Sequence, residues 1–215
     1  MNDTITDKIK AAFAWRAAVK VFDTAKKVSD ADVATIQDAA RMSPAAYGLQ
    51  PYRIVDVRDL ALRAKVRESA YGQAQTTEAS HLFVIAVRTD LDAAFIEEFV
   101  VNTATTRGLD VATLGGFRDM MIGDITNRTP EGRFAWAGRQ AYIGLGAMIE
   151  TAALMGVDAA PMEGFNPVAV NEALGLDALS LNAVGLLAIG YRGEADAWSK
   201  MPKVRVAKED FVVVK

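Results

Sequence analysis

Cysteine is absent from all 215 residues. That one gap removes disulfides, thiol nucleophiles and thiolate ligands for zinc or iron–sulfur clusters. Histidine is nearly absent too, with His81 the only one, so no imidazole cluster is available and no metal site is expected. A serine hydrolase would have to use His81, which stands before an apolar run with no nucleophile elbow beside it; an ordinary structural histidine is the simpler reading. An excess of one charge is also lacking. Lys and Arg number 24 against 27 Asp and Glu, a net charge of −3, which gives no basic face for nucleic acid. Linkers rich in proline or serine, composition breaks and internal repeats are missing, so one domain over residues 1–215 is expected. Ala141–Val157 is the most apolar long stretch, but Glu150 and glycines at 144, 146 and 156 interrupt it, so it reads as buried helix rather than a membrane span. The segment Met1–Asp7 carries acids and no apolar leader core. Together these point to a cytoplasmic setting and no membrane partner.

What is present is a chain half apolar (51%), with patterning for both helices and strands. A first helix is expected over Thr4–Phe13, and a second from Ser29, with Asp32 completing its cap and Val33, Ile36 and Ala40 facing inward. The second stops near Ser43-Pro44, because a residue before proline is pushed out of helical geometry. Tyr52–Val57, Leu82–Val87, Val184–Ile189 and Phe211–Val214 read as strands, the second buried on both faces and the last an apolar edge in need of a partner. Helices fill Asp59–Ser69, most of Leu91–Arg128 with a break near Gly115-Gly116, Glu131–Met155, and a short stretch between the Asn166-Pro167 cap and Gly175. The class is α+β or α/β.

Candidate chemistry sits in separated patches. Gly144-Leu145-Gly146 lies inside a helix and lacks the third glycine, so close helix packing explains it better than a dinucleotide site; no Gly-Lys-Ser/Thr phosphate loop exists. Arg16 and Lys20 near one end, and Lys203 and Arg205 near the other, would make an anion pocket if the fold joined them. Their bland readings are a solvated helix end and a charged edge strand. In Pro161-Met162-Glu163-Gly164-Phe165 a glycine follows an acid, which lets backbone N–H groups approach a flat ligand; a plain connecting loop fits equally. The turn-rich run Ser43–Tyr52 offers Ala45, Ala46, Tyr47 and Gln50, and Gln73 and Gln75 alternate on one side of a third segment.

In this order the patches resemble the nitroreductase family of FMN-dependent NAD(P)H oxidoreductases. The likeness runs from Arg16–Asp23 through Ser43-Pro44, Gln50-Pro51, Gly72-Gln73 and Ala79-Ser80-His81 to Pro161–Phe165 and Lys203–Arg205. It implies an α+β fold, a mixed sheet flanked by helices, in an intertwined homodimer with FMN at the interface. It implies that Arg16, Lys203 and Arg205 hold the flavin phosphate beside Ala17 and Ala18, and that Lys20 sits near N1/O2 as a catalytic charge. Pro161, Glu163 and Gly164 would line the ring near N5, Glu163 acting catalytically through the turn's backbone N–H, and Gln73 and Gln75 would touch the ring or ribityl chain. Ala45, Ala46, Tyr47 and Gln50 would complete the substrate side. The implied reaction is ping-pong hydride transfer from NAD(P)H to nitroaromatics, quinones or activated alkenes. Reductive dehalogenation, flavin modification with residues 108–128 as a lid, and non-catalytic flavin binding are alternatives within the same resemblance. Many relatives carry polar residues at the slots of Ala17 and Ala18, a serine pair at those of Ala45 and Ala46, and tryptophan at that of Tyr52; each lost side-chain hydrogen bond is worth about 0.5–1.5 kcal/mol.

Overall fold

The computed structural model describes residues 4–215; residues 1–3, part of the segment read above as lacking a leader, lie outside the described residues. Thr4 Oγ1 accepts the Asp7 N–H and Asp7 accepts the Thr4 N–H, both at 3.2 Å, a reciprocal capping box. Helix α1 therefore begins at Ile5 and runs to Trp15, two residues beyond the expected stop. Ser29 caps α2 (Asp30–Arg41), and its buried stripe is Val33, Ile36 and Ala40, as the spacing predicts. The chain continues through β1 (Tyr52–Asp56), α3 (Leu60–Ser69), a single turn α4 (Gln75–Glu78), β2 (His81–Arg88), α5 (Ala93–Arg107), α6 (Gly115–Thr126) and α7 (Pro130–Leu154). After these come β3 (Asp158–Met162), α8 (Pro167–Leu174), β4 (Leu181–Gly190) and the short α9 (Lys208–Phe211).

The strands form one sheet in the order β1-β2-β4-β3. Alternation along β2 divides the core. Phe83, Ile85 and Val87 face a cluster that includes Ile36, Ile96, Met121, Trp136 and Met148 from the helices α2, α5, α6 and α7. Leu82, Val84 and Ala86 face the other cluster, with Val19, Phe22, Val66, Val170 and Leu176. Each large side chain so buried contributes about 1.5–3 kcal/mol, so the two sheet faces carry much of the stability. The missing side chain at Gly144 lets α7 approach β1: a Cβ there would stand 2.7 Å from the Tyr52 hydroxyl oxygen, which itself donates to the Ala40 carbonyl at 2.9 Å. Close packing is thus the role of Gly144.

Four expectations need correction. All three strand pairings are antiparallel, so the sheet of this one chain is not mixed. The reason is in the connections: α3 with the segment after it, and α8 with the turn after it, return the chain to the sheet end it left, which makes the next neighbour antiparallel. β3 is a strand where a turn alone was read. Its Pro161 hides the pattern, yet an edge strand tolerates proline because one row of its backbone groups faces away from the sheet. The break in the 91–128 region falls at Gly108, which takes φ 64 and caps α5, rather than at Gly115-Gly116, where α6 starts. Finally, residues 211–214 form no strand: α9 ends at Phe211, and the valines that follow have no partner strand in this chain.

Candidate functional site

The two ends of the chain meet beside β4. Asp23 donates its N–H to the Tyr191 carbonyl at 2.8 Å, and Gly193 donates to Val21 at 2.9 Å. Gly190 leaves space for the Phe22 ring, whose nearest atom would lie 2.9 Å from a Cβ there. Asp196, fully buried, then takes the Lys20 and Val21 N–H groups at 2.8 and 3.1 Å and that of Ser199 at 2.8 Å. Burial alone would raise its pKa; the hydrogen bonds from Ser199, Lys20 and Val21 outweigh that and hold it below the usual aspartate value. This carboxylate ties residues 20–21 to the segment that leads into Lys203.

Between those segments lies a cleft of about 790 Å³, lined by Arg16, Lys20, Lys203 and Arg205 together with Trp15 and Met201, and floored by Ala17 and Ala18. Arg16 and Lys20 do not share a helix, as the reading of a solvated helix end would require. Arg16 leaves α1 at φ −59°, ψ 141°, and the extended chain brings both cations to the same cleft. No acidic side chain lines it among the described residues. The Arg16 Nε is buried without a hydrogen-bond partner. Burial and then the Arg205 charge push the Arg16 pKa down, while burial, Arg16, Arg205 and Arg192 do the same to Lys203. Lys203 Nζ donates to the Phe13 and Ala14 carbonyls at the end of α1, the second at 2.7 Å, which fixes its segment without neutralising it. Behind the wall, the Arg192 guanidinium stacks on Trp15 at 4.2 Å and is itself held by Asp158 at 2.6 Å. Four cations with no acidic partner among the described residues and an orphaned buried N–H fit a phosphate monoester: they supply positive charge that no carboxylate there neutralises, and in the Arg16 Nε–H a donor left unused.

A second group forms where β3 ends. The Tyr142 hydroxyl of α7 donates to Glu163 Oε1 at 2.6 Å, with the Val184 carbonyl 3.2 Å away. Burial, and next the hydrogen bond to Glu163, raise the tyrosine pKa, so it stays a donor. Gln73 Nε2 donates to the Gly164 carbonyl at 2.7 Å. The segment carrying Gln73 is itself held by α3: the buried Arg63 reaches the Thr76, Ala79 and Ser80 carbonyls at 2.6–3.2 Å, and Arg67 reaches Gly72 at 3.1 Å. Glu163, Tyr142 and Phe165 share a groove of about 310 Å³ with Phe134 and Gly138. Pro161 precedes it within β3. Gln75 is buried in α4 and borders neither this groove nor the cation cleft.

The third group is the 45–50 loop. Gln140 of α7 accepts the Ala46 N–H at 2.9 Å. The Tyr47 hydroxyl donates to Asp124 at 3.1 Å, Asp124 pairs with Arg128 at 2.9 Å, and Tyr47 is held at φ 59. The Gln50 side chain turns to the Arg41 carbonyl at 2.5 Å. Within one chain, then, Arg16, Ala17, Ala18, Lys20, Lys203 and Arg205 meet in one cleft, Gln73, Glu163 and Gly164 in a second place, and Ala45, Ala46, Tyr47 and Gln50 in a third. The cation cleft and the Glu163 groove share no lining residue with each other, nor with the hollows beside Gln50. Asp196 and Tyr142 were missed in the sequence because the partners that give them a role, Lys20 and Val21 for the one and Glu163 for the other, lie far along the chain, and the local contact of Asp196 with Ser199 looks like an ordinary turn.

A cation cleft joining the chain ends and a braced carboxylate-glycine turn, on this antiparallel sheet, define a class, and comparison names it. The nitroreductase family model matches residues 13–191, and the chain belongs to that family. A protein of Staphylococcus aureus USA300 provisionally named an NAD(P)H nitroreductase is 32% identical over 220 residues, covering 99% of this chain and 96% of that protein. Among solved structures, a provisionally named nitroreductase of Bacillus subtilis, ydfN, superposes with a TM-score of 0.86 at 19% identity, covering 98% of this chain and 100% of the other. Another, from Exiguobacterium sibiricum and solved in complex with FMN, gives 0.80 at 19%, covering 100% and 99%.

Proposed function

We propose that the chain is a single-domain FMN-dependent oxidoreductase that takes electrons from NAD(P)H and works as a cytoplasmic homodimer. The observation that carries this reading is the convergence of Arg16, Lys20, Lys203 and Arg205 in one cleft, with no acidic partner and with Arg16 Nε unpaired among the described residues. Arg16, Lys203 and Arg205 would hold the phosphate of FMN. Lys20 would place its ammonium where negative charge gathers. The Gly164 turn, braced by Gln73 and by Tyr142 through Glu163, would present its backbone to the ring edge. Bound there, the flavin would supply two-electron transfer between the nicotinamide donor and a nitroaromatic, quinone or activated-alkene acceptor. The names of the relatives support donor and cofactor. No helix among the described residues is long and apolar enough to cross a membrane.

The three groups that one chain keeps apart are the reason for proposing a dimer. A second copy packed on the outward face of α7 beyond the Phe134 groove, where Ile143 and Leu154 are exposed, would let the 45–50 loop of one chain complete the cleft of the other. The test begins with colour. Purified protein should show flavin absorbance that bleaches under anaerobic NADH or NADPH and returns on adding a quinone or a nitroaromatic. Failure to take up FMN at micromolar concentration sinks the cofactor reading. Flavin that binds but never bleaches favours a non-catalytic flavin protein. Lys20→Met should bind FMN with a lower potential and turn over more slowly; an unchanged potential removes Lys20 from that role.

A further inference from the structure

Arg133 stands in the first turn of α7 and makes no side-chain hydrogen bond or ion pair among the described residues. It lines a recess of about 220 Å³ with Arg88, Thr89, Leu91, Pro130 and Phe134. The other cation there is already committed: Arg88 Nε donates to Asp90 at 2.8 Å, and the guanidinium lies over the Phe95 ring at 4.9 Å. Glu98 and Asp92 face Arg88 as well, so Arg133 is the cation lining the recess that has no acidic partner among the described residues, above a floor of Leu91, Pro130 and Phe134. Phe134 is also a wall of the groove that holds Glu163 and Tyr142. One aromatic side chain thus separates the turn from an uncommitted guanidinium.

We infer that this recess is an anion subsite for the acceptor, and that it selects flat molecules bearing a carboxylate. The inference rests on the reductase reading above and names the substrate class of the same site. A planar acceptor against Phe134 would reach Arg133 with one end, while the Glu163 carboxylate at the far end of the groove disfavours the reversed orientation. The pairing has the form of a charge-assisted hydrogen bond between guanidinium and carboxylate, which favours two parallel N–H···O contacts. The same cation could meet the 2′-phosphate of NADPH. The recess argues for the carboxylate: a phosphate dianion wants more than one free cation, and here the Asp90 carboxylate sits beside the only other one.

The experiment compares 4-nitrobenzoate with nitrobenzene on the FMN-loaded protein, for wild type, Arg133→Met and Arg133→Lys, with NADH and with NADPH as donor. Arg133→Met should raise KM for 4-nitrobenzoate about tenfold, the loss of one charge-assisted contact, leaving kcat and the nitrobenzene KM unchanged; the lysine should recover most of it. Equal changes for acid and neutral acceptor overturn the inference, as does a change confined to NADPH. Calorimetric titration of 4-nitrobenzoate runs in parallel. If wild type reduces neither acceptor yet binds the acid in an Arg133-dependent way, the subsite stands and the reductase reading falls. If it reduces both and binds the acid equally with and without Arg133, the subsite falls alone.

Discussion

Arg16 is placed where the unliganded chain gains nothing from it. Its guanidinium is half-buried, its Nε has no partner, and Arg205 and Lys203 stand beside it with the same sign. In the unfolded chain that guanidinium is fully hydrated, so folding without an anion is opposed at this point. A phosphate would reverse the sign. Arg16→Met keeps the apolar stem and removes the conflict. Without FMN it should melt at or above the wild-type temperature. Wild type at a hundredfold excess over Kd should gain about 2.7 kcal/mol, roughly 5–10 °C for a chain of this size, and the variant should lose most of that gain. Scanning fluorimetry with and without FMN reads both. A variant that melts well below wild type before FMN is added would show Arg16 to be structural. The Arg16 cluster and the Glu-Gly turn were singled out through the order of the patches along the chain and the family resemblance it carries, since each patch alone fits a solvated helix end, a charged edge strand or a plain connecting loop. Asp196 and Tyr142 were not, since a buried carboxylate capping N–H groups 175 and 176 positions away leaves no trace in local spacing.

At the scale of elements, capping and hydrophobic period located α2, α3, α7, α8 and the two central strands. They failed at β3, where a proline and two alanines in five residues suppress strand character and only pairing with β4 supplies it. Helix α7 shows how two identical residues can differ. At Gly144 a Cβ would meet the Tyr52 hydroxyl at 2.7 Å, whereas at Gly146 it would meet nothing within 4 Å. Gly144→Ala should therefore cost about 1–3 kcal/mol by overpacking against a tyrosine already fixed by Ala40. Gly146→Ala should raise stability by up to about 1 kcal/mol through helix propensity. Urea denaturation of the two variants at one protein concentration gives the comparison directly. Equal losses at both positions would mean that Gly144 is not the contact that seats α7 on β1.

The whole molecule leaves apolar surface that a lone chain has no use for. Val204 and Val214 are 89% and 88% exposed, and Phe211 at the end of α9 lies open together with Val212 and Val213 after it. Both β1 and β3 are free edges, and four consecutive residues rich in strand formers are the composition that seeks such an edge. Residues 211–214 form no strand in this chain, and in the dimer proposed above this apolar end would pack against the second copy. A stable homodimer needs about 800 Å² from each subunit, and the outward face of α7 together with the tail is the surface available for it. Removing residues 208–215 separates the two roles of the C-terminal region, because Lys203 and Arg205 remain while the apolar end is lost. Analytical ultracentrifugation should find the full chain dimeric at micromolar concentration and the truncated chain shifted toward monomer. FMN affinity should fall with it in proportion to the monomer fraction and recover as protein concentration rises. A truncation after Met201 should instead lose FMN at every concentration, since two of the four cations go with it. If the shorter truncation stays fully dimeric, the tail is not part of the interface. If it becomes monomeric yet binds FMN unchanged, the cleft of a single chain is sufficient, and no second copy is needed to complete it.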